Sequence, residues 1–481
     1  VVLVAAGSAI GLALGSWAMR LLLALIPAEL VAGLPFLRDL GLTRHVLAFA
    51  CVIALAAVAL FSLAPALRLN ARALTDGLAE GSRGSAGRAR RRMGPRLVVL
   101  ELATAMVLLI AAALLAQSLY RLLHVELGLQ PDRLAVLEMA VMGPEYAKPE
   151  QQASLARRVV DEVGRLPGVV SVGISSTLPL NNYSNTMWFR VMGRPYHGEH
   201  NDVPFREVSP GYFNTLGATL VAGRPFREGE DATKPPVVIV NETLAKQYFP
   251  GEDPLGKQIS FISEPPVPME IVGIVRDVRE GSLESEPRGT LYRPFDQSTE
   301  TNFGVVVRAS RSEKRTLPEV ITAIHRIDPG IITLREMTMA DLIGTSPAAY
   351  VRRSTAWLLG GFAFLALLLS VVGLYGVIAY SVSQRTREIG IRIALGAERA
   401  AVSQMVLGEA GRLSAVGIVL GVVGSLAATA LFRGLLFGVR SWDIPTLASV
   451  GTLLGFSALL ASYVPARRAA SVNPVDALRA E

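Results

Sequence analysis

Six stretches of the chain are apolar over the length a membrane crossing requires. They are residues 1–26, 46–67, 97–119, 354–381, 405–432 and 446–464. A hydrocarbon core about 30 Å thick takes about 20 helical residues. The first stretch is interrupted only by Arg20, and the fourth runs from Leu358 to Leu374 without a charge. Between the third and fourth lies a long block, 124–352, with another rhythm. There, 134–142 and 169–175 have strand character. Residues 150–166 carry helical spacing that stops at Pro167-Gly168. The same order recurs later as a strand at 303–308, a helix at 317–327, a turn at Asp328-Pro329-Gly330 and a strand at 331–334. The two strand–helix–strand units flank a β-richer middle, about 187–296. One subdomain made from the two ends of the block, with a second inserted between them, is the expected arrangement.

Charge orients the spans. Residues 68–96 carry Arg68, Arg72, Arg83, Arg88, Arg90, Arg91, Arg92 and Arg96 against Asp76 and Glu80. Arg385, Arg387, Arg392 and Arg399 follow the fourth span, and Arg467, Arg468 and Arg479 follow the sixth. If six spans alternate, all three clusters fall on one side, and an excess of Lys and Arg in short loops marks that side as cytoplasmic. The block 124–352 holds 24 Lys/Arg and 29 Asp/Glu, so it is acidic within a chain of net charge +7, and it lies outside. The pI near 9.7 therefore reflects loop arginines and not a nucleic-acid surface.

Candidate chemistry is sparse. The single cysteine, Cys51, lies in an apolar run, which rules out a disulfide within the chain. His197 and His200 form the one close histidine pair and have no third ligand nearby, which reads as a solvated loop. Gly251-Glu-Asp-Pro-Leu-Gly256-Lys257 has the spacing of a phosphate-binding loop, but Gln258 stands where magnesium needs Ser or Thr. A turn leading into a strand at 258–261 is the better reading. With no catalytic dyad or triad, metal site or cofactor loop, the chain is expected to be no enzyme and to need no cofactor.

The segment 384–397, Gln-Arg-Thr-Arg-Glu-Ile-Gly-Ile-Arg-Ile-Ala-Leu-Gly-Ala, is more informative. Glu388 and Arg392 are four residues apart and can pair along a helix, with Ile389 and Ile393 forming an adjoining apolar stripe. A short amphipathic helix at the cytoplasmic interface fits, either as a docking helix or as a basic anchor for anionic membrane lipid. Within the membrane, Gly7, Gly11 and Gly15 are spaced by four, as are the pairs Gly417/Gly421 and Gly451/Gly455. That spacing lets helices pack closely. Glu101 lies one turn into a span, where it can reach Arg96, water or a transport path.

Residues 385–397 resemble the cytoplasmic loop of MacB/FtsX-type ABC transporter permeases. Pro465-Ala-Arg-Arg-Ala-Ala and Asn473-Pro-Val-Asp-Ala-Leu-Arg479 are similar to that family's C-terminal tail. Val208-Ser-Pro-Gly-Tyr-Phe-Asn-Thr-Leu-Gly217, Gly223-Arg-Pro-Phe226, Val238-Ile-Val-Asn-Glu242 and Tyr248-Phe-Pro-Gly-Glu-Asp-Pro-Leu-Gly256 resemble its periplasmic core. The resemblance implies a multi-pass α-helical protein of the bacterial plasma membrane with a large α+β extracytoplasmic domain of two subdomains. It implies a separate cytoplasmic ABC ATPase dimer as partner, coupled through Arg385, Arg387, Glu388, Ile389, Arg392 and Leu395, and leaves room for a periplasmic adaptor or outer-membrane channel. Export, including antimicrobial-peptide transport, or mechanotransmission is the implied role. A membrane scaffold that regulates cell-wall hydrolases or senses an extracellular ligand is the alternative.

The family unit has four spans, which residues 97–481 fit as a span at 97–123, a core domain at 124–352 and a three-span permease domain at 353–481. Ser62, Pro65, Ala66, Arg68, Asp76 and Leu78 recur 400 residues later as Ser462, Pro465, Ala466, Arg468, Asp476 and Leu478. Residues 1–67 thus read as the last two spans of a preceding unit joined by the basic linker 68–96. The chain is expected to be a fragment of a duplicated permease that begins in mid-helix.

Overall fold

The computed structural model describes residues 2–25, 44, 47–55, 58, 86–181, 185–199, 201–263, 265–431, 434, 436–440 and 442–472. The repeat at 62–78, most of the arginine-rich linker, His200 and the tail from Asn473 lie outside these. The chain divides into two compact units, Val1–Ser118 with Arg352–Glu481, and Leu119–Val351.

The first unit is helical. Helix α1 covers Val2–Leu25, α2 Ala86–Leu123, α8 Pro347–Gln384, α9 Thr386–Ala394, α10 Arg399–Leu431 and α11 Ile444–Ala470. Four described helices are long and apolar enough to cross a membrane: Gly94–Leu123, Pro347–Gln384, Arg399–Ala430 and Ile444–Ala470. They correspond to the last four expected spans. Most of the second expected span lies outside the described residues. Local chemistry fixes the start of α11. The Asp443 carboxylate accepts hydrogen bonds from the Thr446 N–H (3.1 Å) and hydroxyl (2.6 Å), and a proline occupies the first turn. Arg467 and Arg468 in its last turn complement the helix dipole. Leu102, Met106, Ile110 and Leu114 recur every four residues along α2. They pack with Leu374 and Ile378 of α8, Val402 and Val406 of α10, and Leu454 and Ala458 of α11.

The second unit is mixed α and β. In chain order it contains β1 Leu134–Ala140, α3 Pro149–Gly164, β2 Val169–Ser175, β3 Thr186–Val191, β4 Asn201–Val208, α4 Tyr212–Leu216, β5 Leu220–Gly223 and β6 Val237–Asn241. It continues with α5 Glu242–Tyr248, β7 Gln258–Phe261, β8 Met269–Val275, β9 Leu291–Pro294, β10 Asn302–Ala309, α6 Glu313–Ile327, β11 Ile332–Thr338 and α7 Met339–Thr345. Strands β11-β1-β10-β2 are antiparallel neighbours in that order. With α3 after β1 and α6 after β10, this is the strand order of a ferredoxin-like split βαβ unit. The helix faces explain the packing. Leu155, Val159 and Val163 of α3 and Leu317, Val320 and Ile324 of α6 line one side of each helix, against Leu137, Ile174, Phe303 and Val305 of the sheet. Both helices stop where expected. Gly168 takes φ 90°, and Asp328 accepts a hydrogen bond from the Gly330 N–H at 2.7 Å.

The inserted middle has its own core, with Phe189, Val203, Val238, Val240, Leu244, Ile259, Ile271 and Leu291 at its centre. Two cores thus match the two expected subdomains. The sheet, however, does not stop between them. All eleven described strands form one hydrogen-bonded sheet, and the two halves meet at one paired position, Ser175↔Val208. The bonds beside it run from Ser176 N–H to Glu207 O (2.8 Å) and from Ser209 N–H to Ile174 O (2.9 Å).

Candidate functional site

Helix α9 is the element on which the sequence concentrated its chemistry. Ile389 is 1% exposed and Gly390 is buried, and Ile393 packs against the same helical core. The Glu388 carboxylate lies 2.6 Å from an Arg392 guanidinium nitrogen, so the pair expected at a four-residue separation forms. Both side chains are about half exposed. Arg385, at the start of the helix, lies 3.4 Å from Glu409 of α10, which also accepts from Ser381 at 3.3 Å. Arg387 is exposed, and Leu395 is 82% exposed. One face of α9 is thus seated on the transmembrane helices, and the other presents two arginines, a carboxylate and a leucine. Gly396, at φ 96°, ends the segment by turning the chain toward α10.

The glycine stripes separate. A Cβ added at Gly417 would stand 2.6 Å from Leu102 Cβ, and one at Gly421 would stand 2.4 Å from Met106 Cβ and 3.0 Å from the Ala103 carbonyl. Pairing 417 with 102 and 421 with 106 means that α10 and α2 run parallel in close contact. Gly451 and Gly455, with the same spacing, meet neighbours only at 3.6 and 3.9 Å, which is ordinary contact. A Cβ added at Gly7, Gly11 or Gly15 would meet no described atom within 4 Å beyond its own stretch of helix. Glu101 is directed at α8, where a Cβ on Gly373 would stand 2.3 Å from its carboxylate oxygen. Among the described residues it makes no ion pair, with Arg96 or with any other cation.

The outer unit contains a buried polar cluster that sequence reading missed. Arg206 of β4 is fully buried. Its Nη1 donates to the Phe205 carbonyl at 2.8 Å, and its Nε lies 3.5 Å from Glu280. The buried Tyr292 hydroxyl donates to the other Glu280 oxygen at 3.0 Å. Burial lifts the Glu280 carboxyl above its ordinary range, while Arg206 and the Tyr292 hydrogen bond pull it back. Burial, then the neighbouring Glu280, holds Tyr292 well above the ordinary phenol range. Nearby, a cavity of about 310 Å³ opens between α3, β2 and the end of β9. Val160, Ile174 and Phe295 supply apolar lining, and Arg157, Glu228 and Asp296 supply charge, with Arg157 and Asp296 3.7 Å apart.

The loop with phosphate-binding spacing has another geometry. Gly251 and Gly256 take φ 75° and 76°, Lys257 pairs with Glu252, and the chain enters strand β7 where a phosphate loop would open a helix. His197 is exposed. Among the described residues no three His, Cys, Asp or Glu side chains are grouped to hold a metal.

Comparison with known proteins agrees with this division. Residues 97–326 match the family described as MacB-like periplasmic core domain, and residues 360–474 match FtsX-like permease C-terminal. Among curated relatives, the macrolide export ATP-binding/permease protein MacB of Marinobacter nauticus is 29% identical over 322 residues, 64% of this chain and 47% of that protein. The uncharacterized ABC transporter permease YknZ of Bacillus subtilis is 28% identical over 302 residues, 60% of this chain and 72% of its own. The chain thus spans about half the length of the MacB relatives it matches. A crystal structure of the periplasmic region of MacB from Actinobacillus actinomycetemcomitans aligns at 17% identity and a TM-score of 0.31, covering 45% of this chain and 92% of that one. With a MacB-like core and an FtsX-like permease region following one another along one multi-pass chain, the protein belongs to the MacB/FtsX type of ABC transporter permease, and its core domain is extracytoplasmic.

Proposed function

We propose that the chain is the permease part through which a separate cytoplasmic ATPase dimer drives the extracytoplasmic domain, in export or in mechanotransmission, and that α9 is the element the ATPase grips. The observation that carries this reading is the two-sided character of α9. Ile389 is locked into the transmembrane core, whereas Leu395 is 82% exposed beside the exposed Arg387, Glu388 and Arg392. A rigid connection to the spans on one side and an apolar residue ringed by charge on the other suit a docked partner. Names among the relatives, such as macrolide export and pyoverdine export, make export the first activity to assay.

The test is co-purification with the cognate ATPase. Surface substitutions usually change stability by less than about 0.5 kcal/mol. A desolvated charge of the wrong sign at an interface costs roughly 2–5 kcal/mol of binding. Glu388→Lys and Leu395→Asp are therefore expected to insert normally yet lose the ATPase and its stimulation. Wild-type yield and stimulation in both variants would refute the assignment. The second reading, a scaffold that senses an extracellular ligand, draws on the cavity beside Phe295 and Asp296. Ligand binding there without any change in ATPase turnover would favour it.

A further inference from the structure

A groove of about 860 Å³ runs along the contact between α10 and α2, with Glu409 at its border. Its upper wall carries Arg96 of α2 and Arg412 of α10, and below them it is apolar, with Val99, Ala103, Val416 and Leu420. Because the two helices run parallel with 417 against 102 and 421 against 106, positions 96 and 412 stand at about the same height. Each is the last basic residue before a long apolar run. From 413 to 432 the sequence has no charge, and from 97 to 120 it has only Glu101. This is the depth at which lipid headgroups meet acyl chains, on the side marked cytoplasmic by the arginine-rich segments. Both guanidinium groups are exposed and have no partner among the described residues. The one carboxylate bordering the groove, Glu409, is already held by Arg385 and Ser381.

We propose that this groove is a specific site for an anionic glycerophospholipid of the cytoplasmic leaflet, its phosphate held by Arg96 and Arg412 and an acyl chain lying along Val99, Ala103, Val416 and Leu420. Charge decides the occupant. An apolar transmembrane helix seated here would bury two unpaired guanidinium groups, which is costly in a membrane. A free phosphate would leave the apolar length of the groove empty. A phosphodiester with a hydrocarbon tail satisfies both parts, as basic pockets between helices on the cytoplasmic side do for anionic headgroups. The site borders Glu409, so a bound lipid would sit beside the Glu409–Arg385 contact that ties α10 to the start of α9.

The experiment titrates the purified full chain in detergent with phosphatidylglycerol or phosphatidylcholine of identical chains and reads bound lipid by native mass spectrometry. Two basic contacts of the strength usual at anionic membrane surfaces amount to roughly thirty-fold preference for phosphatidylglycerol. The double variant Arg96→Gln/Arg412→Gln is expected to lose that preference, Arg96→Lys/Arg412→Lys to keep most of it, and Arg399→Gln, outside the groove, to keep all of it. Val416→Trp provides a reading with both arginines intact. Its fluorescence should be quenched more by brominated phosphatidylglycerol than by brominated phosphatidylcholine. An undiminished preference in the double Gln variant, an equal loss in Arg399→Gln, displacement of the lipid by inorganic phosphate, or equal quenching by the two brominated lipids would each overturn the site. So would a shift from dimer to monomer in the double Gln variant without change in bound lipid, which would make the groove a contact between copies.

Discussion

Gly421→Ala is the substitution whose cost the structure defines most closely. The new methyl would stand 2.4 Å from Met106 Cβ and 3.0 Å from the Ala103 carbonyl, where ordinary contact begins near 3.4 Å. Neither obstacle can rotate away, since one is the root of a side chain and the other is backbone. Helix α10 must therefore draw back from α2 by about 1 Å at this point, and overpacking of this kind costs about 1–3 kcal/mol. Alanine also gains about 1 kcal/mol of helix propensity over glycine, which masks part of the loss. Gly411→Ala, in the same helix, would place its methyl within 4 Å of no described atom beyond its own stretch of helix, and makes the same gain without the clash. The difference between the two variants thus isolates the packing term, about 1–3 kcal/mol. Thermal unfolding of both in one detergent, against wild type, reads it directly. Gly411→Ala is expected at or above the wild-type midpoint and Gly421→Ala below it. Equal midpoints for the two would refute the close approach of α2 and α10.

Two further outcomes concern the extracytoplasmic domain. Glu280→Leu leaves the Arg206 guanidinium buried without its carboxylate, a loss on the order of 3–5 kcal/mol. Amide exchange in the full chain should accelerate in β4 and β9 first, and unchanged exchange there would contradict the buried pair. Asp328 is held below the usual carboxylate range by the Tyr146 hydroxyl, 2.6 Å away, and by the Gly330 N–H. A depressed folded-state pKa means stabilisation present above the unfolded value of about 3.9 and lost as pH falls through the folded value. Tyr146→Phe should weaken that acid-range dependence in pH-resolved melts, and an unchanged acid limb would count against the bond.

What the sequence revealed and what it hid follow from how each signal arises. The last four spans were legible because length and hydropathy are local properties. The split unit was legible because each half keeps β and α periods of its own, down to the stops at Gly168 and Asp328-Pro329-Gly330. The Glu388–Arg392 pair needed only helical spacing. The glycines were half legible. Spacing of four occurs at Gly417/Gly421 and at Gly451/Gly455 alike, but only the first pair faces a helix close enough to require it. Which neighbour a helix meets is a tertiary fact. Arg206 was hidden for the same reason. Adjacent charged residues in Phe205-Arg-Glu-Val give no local sign of burial, yet β4 is buried from Val203 to Val208 because it stands at the join of the two halves. Glu280, its partner, lies outside any strand and 74 residues further on, where no local pattern points to it.

The insertion also fixes an order of assembly. Strand β1 is among the first parts of the outer domain to be synthesised, and its neighbours β10 and β11 are among the last, beginning at Asn302 and Ile332. The pairings that complete the host unit are therefore the most distant in sequence, and closing such long loops is slow. The inserted half, from Thr186 to Pro294, contains all the strands of its own core. As the chain emerges on the far side of the membrane, the guest can fold while β1, α3 and β2 wait with an open edge for partners not yet made. Until Asn302–Ala309 arrives, that edge is where mispairing with another chain would begin.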